Sequence, residues 1–234
     1  MPIYTPFKKA VAVATFAATA KNSTGSQSSF TFSSVSIGTA SADRKVVVSA
    51  ATSGSGHDTT GVTGLTIGGT SATKAISVYS GSGPGRVHTE LWYLNSVSSG
   101  TTADIVVTWN SSRYGMNIGT WAVTGGASGV NDTATTSSAS GTLSTTIDCS
   151  AGGVVIGART CDVSLNDHNQ QTWTGLDNDG ASAADGPRGA SGCTAYTQFG
   201  SKEYGTAQSG LTVSLAPSGT INGQSLAVFS IDAA

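Results

Sequence analysis

Residues 44–50, RKVVVSA, set three β-branched side chains in a row at Val46, Val47 and Val48. Successive side chains of an extended strand point to opposite faces, so three consecutive valines call for burial on both sides. Further along, residues 103–109 (ADIVVTW) alternate Ala103, Ile105, Val107 and Trp109 with Asp104, Val106 and Thr108. That strand has one core face and one outer face. The polar NSVSSGTT joins it to residues 87–94 as a hairpin-type loop.

The other apolar segments are short, rich in Val, Ile, Thr or aromatics, and bounded by Gly, Ser, Asn or Asp, which is strand punctuation. They fall at 10–17, 29–37, 62–67, 76–79, 116–123, 143–149, 154–158, 172–176, 193–199, 211–215 and 225–231. In the second of these, Phe30 and Phe32 share one parity and Val35 and Ile37 the other, which predicts a bulge near Ser33 and Ser34. Helical spacing is absent over any window of about twelve residues. About eleven or twelve strands are expected from these segments, and in one compact unit that implies two packed sheets. The expected fold is all-β, a two-sheet β-sandwich of jelly-roll type.

Domain organisation follows from the same pattern. Residues 10–234 are expected to form one sandwich, or two smaller ones divided near 125–141, where GGASGVNDTATTSSASG is the most polar and simplest stretch. TIGGTSAT and SIGTASAD share a local flavour without recurring at a fixed period, which argues against a solenoid or propeller. Residues 8–20, KKAVAVATFAATA, have the layout of an export peptide. Thr15 and Thr19 interrupt that run, Pro6 precedes it, and Val11, Val13 and Thr15 alternate, so the first strand is expected here, with no export route of its own. The preceding PIYTPF, with Pro2, Tyr4, Pro6 and Phe7, reads as an extended docking arm over residues 1–9.

Only 10% of the 234 residues are charged, against roughly 25% in an ordinary soluble domain. With a net charge of -2 and scattered Lys and Arg there is no basic stripe, so nucleic acid is not expected as a partner. No apolar run approaches the roughly 20 residues needed to cross a bilayer, so no membrane span is expected either.

Signatures of chemistry are sparse. GASGV at Gly126 and GASGC at Gly189 each miss the G-x-S-x-G elbow by one place, and neither the phosphate-loop nor the zincin pattern occurs. His57, His88 and His168 each lie within two residues of an acid, Asp58, Glu90 and Asp167. His88 and Glu90 share a strand face and are expected at solvent or a subunit contact. The chain is therefore expected not to be an enzyme. The polysaccharide hydrolase or lyase alternative needs paired carboxylates that cannot be placed.

DNDG at 177–180 offers two carboxylates and an amide, yet calcium takes six to eight oxygens, so the segment reads as an aspartate-glycine turn opening an irregular loop over 177–192. No metal or other cofactor is expected. Cys149, Cys161 and Cys193 lack C-x-x-C spacing; they read as free buried thiols or, for Cys161 and Cys193, as a disulfide between neighbouring strands. The sequons at Asn22, Asn110 and Asn131 are expected by chance in so Ser/Thr-rich a chain. Most aromatics read as core, with Trp173 and Tyr196 flanking the long loop and, beside Asp177 and Asp179, forming a candidate glycan site.

Taken in order, SVSIGTASADRKVVVSA, VTGLTIGGTSATK, LWYLNSVSSGTTADIVVTW and GGVVIGA resemble the Gly/Ser/Thr-rich β-sandwich proteins of tailed-bacteriophage virions, over about residues 30–231. The resemblance implies a non-enzymatic structural protein, a capsid decoration (head-fibre) or small tail-fibre component acting through contacts with other virion proteins. It implies a virion location after assembly in the host cytoplasm and a homo-oligomer, a trimer by jelly-roll analogy. The alternative is a carbohydrate-binding module or adhesin that recognises a cell-surface glycan.

Overall fold

The computed structural model describes residues 10–23, 25–53, 61–80, 86–113, 115–163, 171–185, 194–216 and 221–234. The regular structure of these residues is all strand. The first part of the chain forms β1 (Val13–Asn22), β2 (Gln27–Ser36), β3 (Lys45–Ser53), β4 (Val62–Ile67), β5 (Thr70–Ser71), β6 (Thr73–Ser80), β7 (Val87–Leu94), β8 (Thr102–Arg113) and β9 (Met116–Thr124). The second forms β10 (Asp132–Ser138), β11 (Leu143–Cys149), β12 (Gly153–Val163), β13 (Trp173–Thr174), β14 (Asp177–Asp185), β15 (Thr194–Tyr204), β16 (Gln208–Leu215) and β17 (Ile221–Ile231). The count exceeds the expected eleven or twelve, and three strands, β5, β10 and β14, fall outside every expected segment; the two longer ones are polar stretches. β10 lies inside the Gly/Ser/Thr run read as a linker, and β14 replaces the irregular loop expected from Asp177 onward.

The strands form four open antiparallel sheets rather than two. A large sheet has the order β1-β9-β3-β7-β6 and is covered by an outer sheet β2-β8-β4-β5. A second large sheet, β10-β17-β12-β15-β14, is covered by an outer sheet β11-β16-β13. Position for position the two halves share one strand order, with β1, β9, β3, β7 and β6 matched by β10, β17, β12, β15 and β14. The outer strands β2, β8 and β4 are likewise matched by β11, β16 and β13.

The two large sheets face each other, so the molecule has four layers and three apolar interlayers. The triple valine of β3 lies where this requires it: Val46 and Val48 point into the first sandwich, and Val47 points into the central layer between the halves. All three are fully buried. β12 repeats the arrangement, with Val155 toward its outer sheet and Val154 and Ile156 toward the centre.

The halves meet about a pseudo-two-fold. β6 packs over β10 and β17, while its counterpart β14 packs over β1 and β9; β7 lies on β12 and β17, while β15 lies on β3 and β9. Such reciprocity marks an isologous interface, in which the same surface is used by both partners. Polar contacts repeat it. Thr89 Oγ1 on β7 bonds Ser225 Oγ on β17 (2.7 Å), and Thr197 Oγ1 on β15 accepts from Asn117 Nδ2 on β9 (3.3 Å). The register makes Thr89 equivalent to Thr197 and Asn117 to Ser225. The apolar central residues match likewise: Val47 with Ile156, Leu91 with Phe199, Trp121 with Phe229, and Val123 with Ile231.

Residues 125–131 connect the halves. Gly125 has φ +67° and donates its N–H to Asp43 Oδ2 (2.7 Å). Lys45 Nζ, buried and 5.0 Å from the centre of the Tyr93 ring, donates to Ala127 O (2.8 Å) and Gly129 O (3.1 Å). Residues near the start of β1 and after β17 gather here too: Ala234 N–H bonds Gly125 O (2.9 Å), Gly126 bridges to Ala233, and Ala12 N–H bonds Gly152 O (2.7 Å). The expected bulge in β2 is present, with a register shift between Phe32 and Val35 and Ser34 at φ 54°.

Candidate functional site

Three places concentrate polar chemistry. The first is inside the first sandwich, where His88, Glu90 and Trp92 of β7 point toward the outer sheet. His88 and Glu90 were expected at solvent or a subunit contact, and both are buried, at 1% and 0% exposure. Their shared face is as the strand parity predicts, but that face is roofed by the outer sheet. Glu90 Oε1 accepts Val62 N–H (2.8 Å) and Ser77 Oγ (3.2 Å) and lies 3.2 Å from His88 Nε2. Its Oε2 accepts Trp92 Nε1 (2.8 Å) and lies 3.1 Å from Lys74 Nζ. Burial pushes the Glu90 carboxyl upward, but the His88 contact, the Val62 N–H and Lys74 together hold it below the ordinary value.

Ser, His and Glu in contact invite comparison with a nucleophilic triad. There the histidine must touch the serine with one ring nitrogen and the acid with the other. Here Nε2 faces both Ser77 Oγ (2.9 Å) and Glu90, and Nδ1 is buried without a hydrogen-bond partner among the described residues. The imidazole therefore cannot relay a proton from Ser77 toward Glu90 through its ring. Gly61 completes the closure: a Cβ there would stand 2.1 Å from Glu90 Oε1.

The matching position of the second sandwich is polar with the opposite sign. Where the first half has Ala50, Glu90 and Met116, the second has Arg159, Gln198 and Gln224. Buried Arg159 donates Nε (3.1 Å) and Nη2 (2.8 Å) to Gln224 Oε1 and Nη1 to Gln198 Oε1 (3.0 Å). Gln198 then donates to Gln171 O (3.0 Å), and Gln224 to Gly141 O. One half buries an acid among donors, the other a cation among amide acceptors.

The third place is the seam. β14 shifts register between Asn178 and Gly180, and Asp179 is the extra residue of that bulge. A bulge re-aims its side chain, and here the Asp179 carboxylate crosses to the first half, where Oδ2 accepts Trp121 Nε1 (2.7 Å). Burial raises the Asp179 pKa against the lowering effect of the Trp121 and Ser201 bonds. Beside it, exposed Asp177 pairs with Lys202 (3.1 Å). A cleft of about 320 Å³ is lined by Ala14, Asp177, Asp179, Ser201, Lys202 and Glu203. A neighbouring one of about 440 Å³ shares Asp177 and reaches Gln171, Asn178 and an edge of Trp173.

The aromatic half of the candidate glycan site lies elsewhere in character. Trp173 and Tyr196 are buried, at 6% and 5% exposure, Trp173 against Leu176 and over Gly157 and Gly200, and Tyr196 against Cys161. Neither presents the open ring face that sugar stacking uses; Asp177 and Asp179 line the first cleft, and Trp173 borders the second beside Asp177. Cys149 and Cys161 are free buried thiols, each with its pKa pushed up to about 11 by burial. Cys193, the arm residues Pro2, Tyr4, Pro6 and Phe7, and His57 and His168 lie outside the described residues. The Asp179–Trp121 bond escapes sequence reasoning because it joins two halves through a bulge; the only signal was Gly180, which follows the extra residue.

Among the described residues no group of three or more His, Cys, Asp or Glu side chains is placed to hold a metal ion, and no helix is long and apolar enough to cross a membrane. The chain is thus an all-β protein of four stacked sheets. Comparison with protein-family models, with curated proteins and with solved structures finds no match.

Proposed function

We propose that the chain is a non-enzymatic structural protein of a tailed-bacteriophage virion, a capsid decoration (head-fibre) or small fibre component that works through contacts with other virion proteins. The observation that carries this reading is the arrangement around the buried Glu90 carboxylate. It accepts from Val62 N–H and from the Ser77 hydroxyl at the exposed rim, and lies beside buried His88 and half-buried Lys74, in an order suited to holding β4, β6 and β7 together rather than to passing protons. Arg159 and its two glutamines have the same bracing character in the other half.

Each half is further proposed to be a jelly roll. Consecutive strands cross repeatedly between the two sheets of a sandwich, as β1 to β2, β3 to β4, β7 to β8 and β8 to β9 do, and the second half follows the same path. Assembly as a homo-oligomer inside the virion, with the host cytoplasm as the place of assembly, belongs to the same reading. The test is mass spectrometry of gradient-purified particles, followed by a particle map. A stoichiometric chain on the shell or fibre is the expected result; abundance in infected cells with absence from particles overturns the reading.

A second reading, glycan recognition by an adhesin, is favoured by the two adjoining polar clefts that share Asp177. It predicts glycan-array binding that Asp177→Ala abolishes. Binding that survives this substitution, or no binding to any glycan, removes it.

A further inference from the structure

A sheet edge exposes unpaired backbone groups, and folded proteins blunt such edges by bulges, by charge or by keeping the strand very short. Among the described residues there are eight edge strands: β1, β6, β2, β5, β10, β14, β11 and β13. β5 and β13 have two residues each. β1, β6, β2, β14 and β11 each carry a register shift. β10 has neither device, since its seven pairs with β17 run in unbroken register from Asp132 to Ser138. The contrast with β1 is controlled by the pseudo-two-fold, because both strands hold the same place in the same sheet order.

Charge caps only the first donor of β10. Its one charged residue, Asp132, is turned onto local backbone, with Oδ1 accepting Thr133 N–H (2.8 Å) and Oδ2 accepting Asp148 N–H (2.8 Å). The remaining residues are Thr, Ala and Ser, with Thr133, Thr135 and Ser137 exposed. Among the described residues no strand pairs with the outer side.

We propose that this edge is where two copies of the chain join, β10 against β10 in antiparallel pairing about a two-fold at Thr135. The proposal deepens the assembly reading by naming a surface and a partner, and it rests on that reading only for the expectation of a homo-oligomer. Complementarity selects a second copy as occupant. Self-pairing sets Asp132 opposite Ser138, Thr133 opposite Ser137 and Ala134 opposite Thr136, so no like charges meet and hydroxyl pairs form across the join. The second large sheet then runs through both copies.

The test is the mass of the full-length chain in solution, by sedimentation equilibrium across a concentration series, for wild type, Thr135→Pro and Thr135→Lys. Proline removes a backbone donor, and lysine is the charge that protected edges carry. The expected result is a wild-type dimer that falls to monomer in both variants, with circular dichroism and melting temperature unchanged in at least the lysine variant. A wild type that is monomeric at every concentration, or any assembly that both variants leave intact, overturns the proposal. Presence on purified particles is measured separately, so failure of the β10 contact and failure of the virion reading are distinguishable.

Discussion

At the scale of single residues, Arg44 closes one end of the first sandwich. Fully buried, it donates from Nε to Val97 O (2.8 Å), from Nη1 to Gly38 O (2.7 Å), and from Nη2 to Ser99 O (2.8 Å) and Gly100 O (2.9 Å). Its partners are neutral carbonyls of two loops, and these lose their donors together if the guanidinium is removed. Arg44→Met is expected to destabilise the protein by about 3 kcal/mol in urea unfolding, and Arg44→Lys to recover only part of it, because an ammonium cannot span the fork. Its neighbour Lys45 makes a pH prediction. Desolvation lowers its pKa to about 8 from an ordinary 10.5. Between those values the unfolded chain holds a proton that the folded chain has released, so this group adds stability as pH rises. The unfolding free energy of wild type relative to Lys45→Met should grow by on the order of 2 kcal/mol from pH 7.5 to 10. A flat or falling difference would contradict the assignment. The sequence assigns neither cation a role, because their partners are main-chain atoms of distant loops, which carry no side-chain signature.

At the scale of elements, apolar strands were legible and polar ones were not. Alternation located β8 and the double-sided β3, and the change of parity in β2 located its bulge. β10 and β14 escaped because an edge strand made of Thr, Ser, Ala, Asp and Gly has the composition of a loop, and only its neighbour β17 or β15 decides that it pairs. The connector gives a sharp test of local geometry. Gly125 combines φ +67° with a position where a Cβ would stand 2.2 Å from Val11 O, a backbone atom. Gly125→Ala should therefore cost about 2–4 kcal/mol, whereas Gly129→Ala, with nothing within 4 Å, should cost far less. Chemical denaturation of the two variants compares them directly.

At the scale of the whole molecule, the central layer makes the halves interdependent. Trp121, Phe199 and Phe229 are fully buried there, and Phe199 stacks with Phe16 across the seam (5.6 Å). Phe229→Ala should cost about 3–5 kcal/mol, and scanning calorimetry should still record one transition for both halves. Two separated transitions in wild type would mean that the shared layer does not couple them. The duplication was hidden in the sequence because equivalent positions keep their role and change their identity. Leu91 answers to Phe199, and the small residue of the matching pair shrinks in step, from Ala227 to Gly119, where a Cβ would stand 2.7 Å from the Phe199 ring. Three adjacent valines already required a layer on each side of β3, which a two-sheet sandwich does not supply. The gathering of Ala12, Gly125 and Ala234 at one place has a mechanical consequence. Tension applied between Ala12 and Ala234 would reach β1 at the Val13–Thr124 rung and β17 at the Ile231–Val154 and Ser230–Asp132 rungs, and load each ladder from one end. Pulled at these two places, the strands would part by unzipping rather than resist in shear, whatever the stability of the fold.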